Sequence, residues 1–330
     1  FSIGFDEKEF DEEKYSTFVS NKIGSNHFYK NIKNNEIDNL IENLFNKMRE
    51  PLSDSSLPSY LELCKLASSE VKVVLGGDGA DELLAGYNTF QATKYLLLIK
   101  KLKLDKFNPI MNLLLKKINS KNKNMDIKFK MSRFLRFTES NLAFMHPQWI
   151  SPLNIEDINK LFNTQNKVEE VYSESIALWE NSKIDTIDKS IEFYTKIFLP
   201  NQILVKTDTL SMSNSLEVRS PFLDYNLVDI FSKIPNNFKL KGKISKYILK
   251  KTFEDMYDKK FIYRKKMGFS SPLSNWFYQM KELNIKSKFM KNKKEILLSK
   301  LKKHQNNLEN NRIYLWNILI LDNFLYKNNL

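Results

Sequence analysis

The alternation of apolar and polar positions changes character along the chain. It opens on FSIGF, a short apolar run of strand type, and then turns acidic and amphipathic. From Asp6 to Lys22 the period is helical, with Tyr15, Phe18 and Val19 on one face and Gly24 placed near the C-terminal end. NEIDNLIENLFNKM repeats that period, with Ile37, Leu40, Ile41, Leu44, Phe45 and Met48 on one stripe. EPLSDSSLPSY breaks it with two prolines, and a further helix is predicted from about Pro58 to Ser69. VKVVLGG is a brief β-branched run, the pattern of a fully buried parallel strand. Strand, helix, helix, helix, strand is the order of a doubly wound α/β unit.

After Tyr87 the pattern shifts. Residues 91 to 200 read as long, basic, amphipathic segments without clear strands. The Lys/Asn-rich middle of KLKLDKFNPIMNLLLKKINSKNKNMDIKFKM is expected to be an exposed loop, and HPQWISPL a break between helices. Residues 201 to 280 hold a dense set of special side chains. The tail from Lys281 is helical and basic, closing on RIYLWNILILDNFLY, and no internal repeat is present.

Composition narrows the class. With 330 residues, 42% of them hydrophobic, the chain can bury a real core in one large domain or two closely packed ones. Twenty-four Phe, fourteen Tyr and four Trp argue against disorder. Only eight Gly and nine Pro fit a largely helical protein. The net charge of +13 raises nucleic acid as a partner. The lysines are spread over most of the chain and no groove-reading motif accompanies them, so a solvated lysine surface is the better account. A lone cysteine, Cys64, excludes an intrachain disulfide framework and points to a reducing, cytoplasmic setting. Its apolar helical neighbours make it a small buried hydrophobe rather than a nucleophile. No apolar run reaches the ~20 residues a membrane crossing needs; LWNILILDNFLY is interrupted by Asn317, Asp322 and Asn323. No signal peptide is expected. Because the chain opens inside a strand and without Met, further sequence is expected before Phe1.

The densest chemistry lies in VVLGGDGADELLAGY. A strand ends there in a glycine turn, and the next helix begins near Asp81. Ligands of open α/β sheets bind beyond the carboxyl ends of strands. Gly76, Gly77 and Gly79 let the backbone bend tightly and approach a ligand. Asp78 and Asp81 then project from one loop, and neighbouring like charges are costly unless something positive lies between them. Mg²⁺ suits that position, since it takes one or two carboxylates plus phosphate oxygens. The spacing is not that of an EF-hand, and a simple helix cap would need only one Asp. A second cluster, VKTDTLSMSNSLEVRSPFLD, mixes Lys206, Asp208, Glu217, Arg219 and Asp224 and reads as a buried ion-pair network, with structural pairing preferred for Glu217 and Arg219. In a third, LKGKISKYILKK, Gly242 opens a turn and Lys246 stands near a helix start, where a phosphate would relieve its conflict with the helix dipole. Arg264, Lys265 and Lys266 precede a Gly268–Phe269 turn. His27, His146 and His304 lie far apart, without metal-ligand spacing.

Taken together, these segments resemble the synthetase domain of glutamine-hydrolysing asparagine synthetases. FSIGFDEKEFDEEKYSTFVSNKIGSNHF is similar to the strand and helix after that family's phosphate loop, and EPLSDSSLPSY to its Glu-Pro…Asp…Pro-Thr-Tyr segment. VVLGGDGADELLAGY is close to Val-Val-Leu-Ser-Gly-Asp-Gly-Ala-Asp-Glu-Leu-Phe-Gly-Gly-Tyr. SMSNSLEVRSPFLD and KYILKKTF…IYRKKMGFSSPLSNW follow in order. The resemblance implies an ATP-pyrophosphatase-like parallel-sheet core over residues 1–90, truncated at its N-terminus, with residues 91–330 as the mainly helical remainder of the same domain. It implies adenylation of the side-chain carboxylate of aspartate by Mg-ATP, release of pyrophosphate, and attack of ammonia to give asparagine. By position, Asp81 resembles the Mg²⁺-pyrophosphate ligand and Lys246 the lysine that neutralises pyrophosphate. Asp78 resembles the acidic residue that handles protons of the incoming ammonia. The backbone around Ile3, Gly4 and Gly77, together with Lys266, would hold the nucleotide. Implied partners are ATP, aspartate and ammonia from a glutaminase domain, with no nucleic acid and no membrane; a homodimer is allowed.

The departures are specific. The family's Ser-Gly-Gly-x-Asp-Ser loop and its glutaminase domain are not in this sequence, so the isolated chain is expected to release no pyrophosphate with aspartate and ammonia. Gly76 replaces a usual serine, Thr209 a basic residue and Lys265 a proline. Related adenylating enzymes with other acceptors (β-lactam synthetases, lasso-peptide cyclases, polysaccharide-cluster amidotransferases) remain alternatives, as does a non-catalytic nucleotide-binding module.

Overall fold

Ser2–Phe5 (β1) pairs in parallel with Tyr29–Ile32 (β2), Ser2 beside Tyr29 and Phe5 beside Ile32. The computed structural model describes residues 1–116, 127–135, 141–151, 153–181, 183–264, 266 and 268–330. Between the two strands lies Glu13–Ile23 (α1), which starts later than its apolar period suggests. The acidic residues before it are engaged elsewhere: Asp6 accepts from the Asn31 side chain at 2.8 Å, and Asp11 from the Glu13 N–H at 3.0 Å. Such local side-chain bonds compete with the helix. α1 ends at Gly24, whose φ of +68° lets its N–H turn back to the Ser20 carbonyl. Ile37–Lys47 (α2) buries Ile37, Leu40, Ile41 and Leu44 as its stripe requires. Leu57–Ser68 (α3) tolerates Pro58 because the first turn has no N–H to lose. On α3, Cys64 packs with Ala67 and Leu216, and burial pushes its thiol up to about 12.

Val73–Leu75 (β3) pairs in parallel with Glu217–Arg219 (β4), a strand that the charged sequence there concealed. β3 is not the fully buried strand its composition suggests: Val73 is 41% exposed and Leu75 74%. It has one strand neighbour, and only Val74 turns inward, against the Cys64 cluster. The same exposure corrects the expected buried network at Glu217 and Arg219. Their ion pair, at 2.7 Å, is solvent-facing. The chain is therefore a mostly helical α/β protein in which each sheet of the described residues has two strands.

After the one-turn helix Ala80–Leu83 (α4) comes Asn88–Lys101 (α5), and the described residues up to 200 contain no strand. The expected Lys/Asn-rich loop lies at 117–126, outside the described residues, as does Lys265. HPQWISPL does not break the chain where expected: Met145–Ile150 is helical, with Pro147 tolerated in its first turn. A continuous helical run then leads from Thr186 through a π-helical stretch, Tyr194–Leu204, into Val205–Met212 (α6). Pro200 sits inside the π stretch, where it cannot donate to the helical ladder.

Leu240–Lys241 (β5) and Ile244–Ser245 (β6) form a small hairpin around Gly242, at φ +57°, followed by Tyr247–Thr252 (α7). Near the C-terminus, Lys294–Gln305 (α8) and Arg312–Lys327 (α9) return to the first elements. One apolar cluster takes Ile3 and Phe5 from β1, Leu44 from α2, Leu61 from α3, Leu297 from α8, and Leu315 and Trp316 from α9. Among the described residues no helix is long and apolar enough to cross a membrane.

Candidate active site

The site is built where β3 ends. Gly79 turns the chain at φ +91°, and a Cβ there would stand 2.3 Å from Leu223 Cδ2. Only glycine meets both conditions without strain. α4 then makes a single turn, and the Gly86 N–H closes it onto the Asp81 carbonyl at 2.8 Å. Ala85, fully buried, holds φ +51° at a position where the family motif has glycine.

Asp81 projects from this knot between two lysines. Lys246 Nζ lies 2.8 Å from Oδ1, and Lys266 Nζ lies 3.1 Å from Oδ2. Burial works to raise the Asp81 carboxyl, but Lys266 and Lys246 outweigh it and hold the group below the usual carboxylate range. Lys246 reaches Asp81 because it stands just before α7 at φ +51°, with its N–H donating to the Leu84 carbonyl at 3.2 Å. The approach also needs Gly86. A Cβ there would fall 1.8 Å from Asp81 Oδ1 and 2.4 Å from Lys246 Cε. The positive charge expected beside the carboxylates is thus supplied by side chains, two cations to one anion.

The lysine at 266 is fixed by a second contact. Its ammonium lies 4.4 Å from the centre of the Tyr87 ring. Tyr87 in turn packs against Tyr194 at 4.9 Å and donates its hydroxyl to buried Glu82. Burial raises the Glu82 carboxyl, and the neighbouring Asp81 and Asp78 add to that. Tyr194 belongs to the π-helical stretch, so this stretch supports the lysine cluster from behind.

Asp78 stands apart from the lysines. Its Oδ2 accepts from Thr207 Oγ1, at 3.0 Å, on α6. The preceding residue, Lys206, makes a closed pair: its ammonium donates to Asp54 Oδ2 at 3.1 Å and Ser56 Oγ at 3.0 Å. Trp316 Nε1 donates to the Asp54 carbonyl at 3.1 Å and ties the pair to the main core. Burial works to raise Asp54, but Lys206 and the Ser56 bonds hold it below the usual range.

Asp81, Lys246 and Lys266 therefore meet at one turn, while Asp78, on the same loop, is bonded to Thr207 instead. Gly77 has open space where its Cβ would be. Ile3 and Gly4 play a visible part elsewhere. Ile3 is buried in the core, and a Cβ on Gly4 would strike Tyr29 Oη at 2.1 Å and Asp11 Oδ1 at 2.6 Å. Among the described residues, no hydrogen bond or ion pair joins either residue to the Asp81 turn. Gly76 leaves room beside Val218 Cγ1, 3.1 Å from where a Cβ would lie, with Asp78 Oδ2 at 3.6 Å. Thr209 lines a cavity of about 170 Å³ together with Glu50, Arg49 and Leu57. Thr207, Gly86, Glu82 and Tyr87 are site residues that sequence reasoning passed over. Gly86 and Tyr87 stand in the glycine motif itself, whereas Thr207 meets Asp78 across 129 positions and leaves no local signal. The described residues hold no cluster of three or more His, Cys, Asp or Glu side chains suited to a metal.

Such an arrangement suits a polyanion. It has a carboxylate, two converging ammonium groups with net positive charge, and a turn whose backbone can be approached closely.

The chain is similar to "Asparagine synthetase [glutamine-hydrolyzing] 1" of Bacillus subtilis, at 26% identity over 97% of this chain and 50% of that protein. A Mycobacterium bovis relative is 26% identical over 84% of this chain and 41% of its own length. "Asparagine synthetase [glutamine-hydrolyzing] 3" of Bacillus subtilis is 25% identical over 64% of this chain and 28% of its own. The chain thus spans about half the length, or less, of these curated relatives. The sequence pattern of the asparagine synthase family matches residues 1–325, and the chain belongs to that family.

Proposed function

We propose that the Asp81 turn binds the phosphates of ATP and serves an amide-forming ligase that adenylates a carboxylate, that of aspartate by analogy with the relatives' names. The reaction would proceed in two stages. The substrate carboxylate attacks the α-phosphorus of ATP and pyrophosphate leaves; ammonia then attacks the acyl carbon and AMP leaves. The observation that carries this reading is the convergence of Lys246 and Lys266 on Asp81 at 2.8 and 3.1 Å, with one positive charge left over. That excess favours a leaving group that gains negative charge, and positioning with charge neutralisation is the main catalytic demand of such transfers. Asp78, held by Thr207 rather than by a cation, stays available to accept a proton from the incoming amine. Gly77 would let the adenylate approach, with the backbone at Ile3 and Gly4 as the far wall in the same reading.

Asp81 suits Mg²⁺. Oδ1 is buried and has Lys246 at 2.8 Å as its one close partner, so a hard cation bound there would share the carboxylate with that lysine or displace it. Bound there with phosphate oxygens, the ion would neutralise charge on the pyrophosphate. The ATP-pyrophosphatase-like core over residues 1–90, with 91–330 as its helical remainder, belongs to the same proposal. So does a cytoplasmic setting.

Calorimetric titration of the chain with pyrophosphate and with Mg-ATP tests the reading. Binding is expected, and Lys246→Ala should weaken it at least ~10-fold, as loss of a charge-assisted contact does. Wild-type chain that binds neither compound overturns it. A sulfamoyl analogue of aspartyl adenylate addresses the acid: it should bind more tightly than AMP, and equal affinities would move the acceptor to another carboxylate.

A further inference from the structure

The cationic side of the site does not end at Lys246. In the first turn of α7 stands Lys250, whose N–H donates to the Lys246 carbonyl at 3.0 Å, and the two side chains are close enough for the Lys246 charge to act on Lys250. Lys250 is half-buried, with its ammonium 5.8 Å from the centre of the Tyr263 ring. Its sequence neighbour Lys251 points away and pairs with Glu254. Lys250 has no such partner: among the described residues no carboxylate lies within 4 Å of its ammonium. Burial, and then repulsion from Lys246 and Arg264, push it below the ordinary lysine range, with Asp81 opposing. Arg264 closes the far side. Its guanidinium lies against both Tyr15 and Phe261, 4.6 Å from each ring centre, with Glu12 at 3.6 Å.

Four cations thus share two carboxylates: Lys246 and Lys266 meet Asp81, Arg264 meets Glu12, and Lys250 lies near enough to feel Lys246, Arg264 and Asp81. Crowded like charges in partial burial are unfavourable until an anion joins them. Arg264 is already held by two rings and Glu12, and Lys266 by Tyr87 and Asp81. Lys250 alone of the four lacks a carboxylate. Its backbone stands next to that of Lys246, which leaves its ammonium free to engage a different phosphoryl group of the same ligand.

We propose that Lys250 is a second anion-binding residue of this site, donating to the distal phosphoryl group of a di- or triphosphate whose nearer group sits at Lys246 and Lys266. The proposal rests on the nucleotide reading above and extends it by one residue and one chemical requirement, a ligand with at least two linked phosphates.

The test is calorimetric titration of the chain with pyrophosphate and with AMP, using Lys250→Gln, Lys250→Arg and Lys246→Gln. Lys250→Gln should weaken pyrophosphate binding about 10-fold and leave AMP binding unchanged, and Lys250→Arg should restore most of the loss. If Lys250→Gln binds pyrophosphate like wild type while Lys246→Gln loses it, this inference is overturned and the nucleotide reading stands. If wild type binds no pyrophosphate, both fail together. A measurement on wild type guards against a misfolded variant. Pyrophosphate should slow acylation of Lys250, mapped by mass spectrometry, and leave Lys251 untouched; equal protection or none would overturn the assignment.

Discussion

Two charge clusters of the molecule differ in kind. Around Lys206, one cation meets one carboxylate, Asp54, with Ser56 and Trp316 completing the bonds. Around Asp81, one carboxylate faces Lys246 and Lys266, with Lys250 beyond them. The first is balanced, buried and closed. The second carries surplus positive charge and is partly open. Balanced pairs fix a fold, whereas an unbalanced group waits for a ligand. Sequence treats the two alike, since both are lysines near aspartates in motifs of similar density. What separates them is the count of partners within reach, which only the folded chain supplies.

The largest effect should come from opening the closed pair. Lys206→Met leaves Asp54 buried and unpaired, a loss of about 3 kcal/mol or more in stability by chemical denaturation at neutral pH. A variant within about 1 kcal/mol of wild type would show that the pair does not lock the fold. The pH dependence has a definite sign. Asp54 is held below the ordinary carboxylate value, so its contribution is fully present above about pH 4 and is lost as pH falls from there through the lower folded value. The stability gap between wild type and Lys206→Met should therefore narrow on acidification below pH 4. A gap that stays constant down to pH 2 would remove Asp54 from the account.

How much of this was legible beforehand depends on range. The stripe of Ile37, Leu40, Ile41 and Leu44 fixes its helix because period and burial coincide locally. The meeting of Asp81 with Lys246 was foreshadowed because a glycine turn and a lysine at a helix start each conflict with simple packing. β4 was not legible: a charged, exposed edge strand of three residues has no apolar alternation to show. The burial of β3 was overestimated for a related reason, since β-branched residues report strand preference, not how many neighbours the strand finds. Tyr194 reaches the site from a π-helical stretch that no periodicity announces, and Thr207 from the α-helix that follows it.

A smaller effect tests whether the open cluster is assembled by backbone shape. Gly86→Ala would place a methyl group against Asp81 Oδ1 and Lys246 Cε. Stability should fall by about 1–3 kcal/mol, the usual cost of overpacking, and pyrophosphate binding should fall with it because Asp81 and Lys246 can no longer meet. Retained binding in a destabilised variant would mean that the pair separates when ligand enters.

The smallest expected change in stability is the sharpest test of the contrast. Lys246→Met removes a cation 2.8 Å from Asp81, yet Asp81 keeps Lys266 at 3.1 Å. The variant also relieves the repulsion that Lys246 exerts on Lys250. Loss and relief nearly cancel, and the pair is partly solvated, so the net change should stay within about 1 kcal/mol. Lys206→Met and Lys246→Met remove the same group from the same kind of partner, and they should nevertheless separate cleanly: the first in the denaturation curve, the second in the titration with pyrophosphate. Were Lys246→Met to cost as much stability as Lys206→Met, the open cluster would be a second structural lock, and its surplus charge would need an explanation other than an anion.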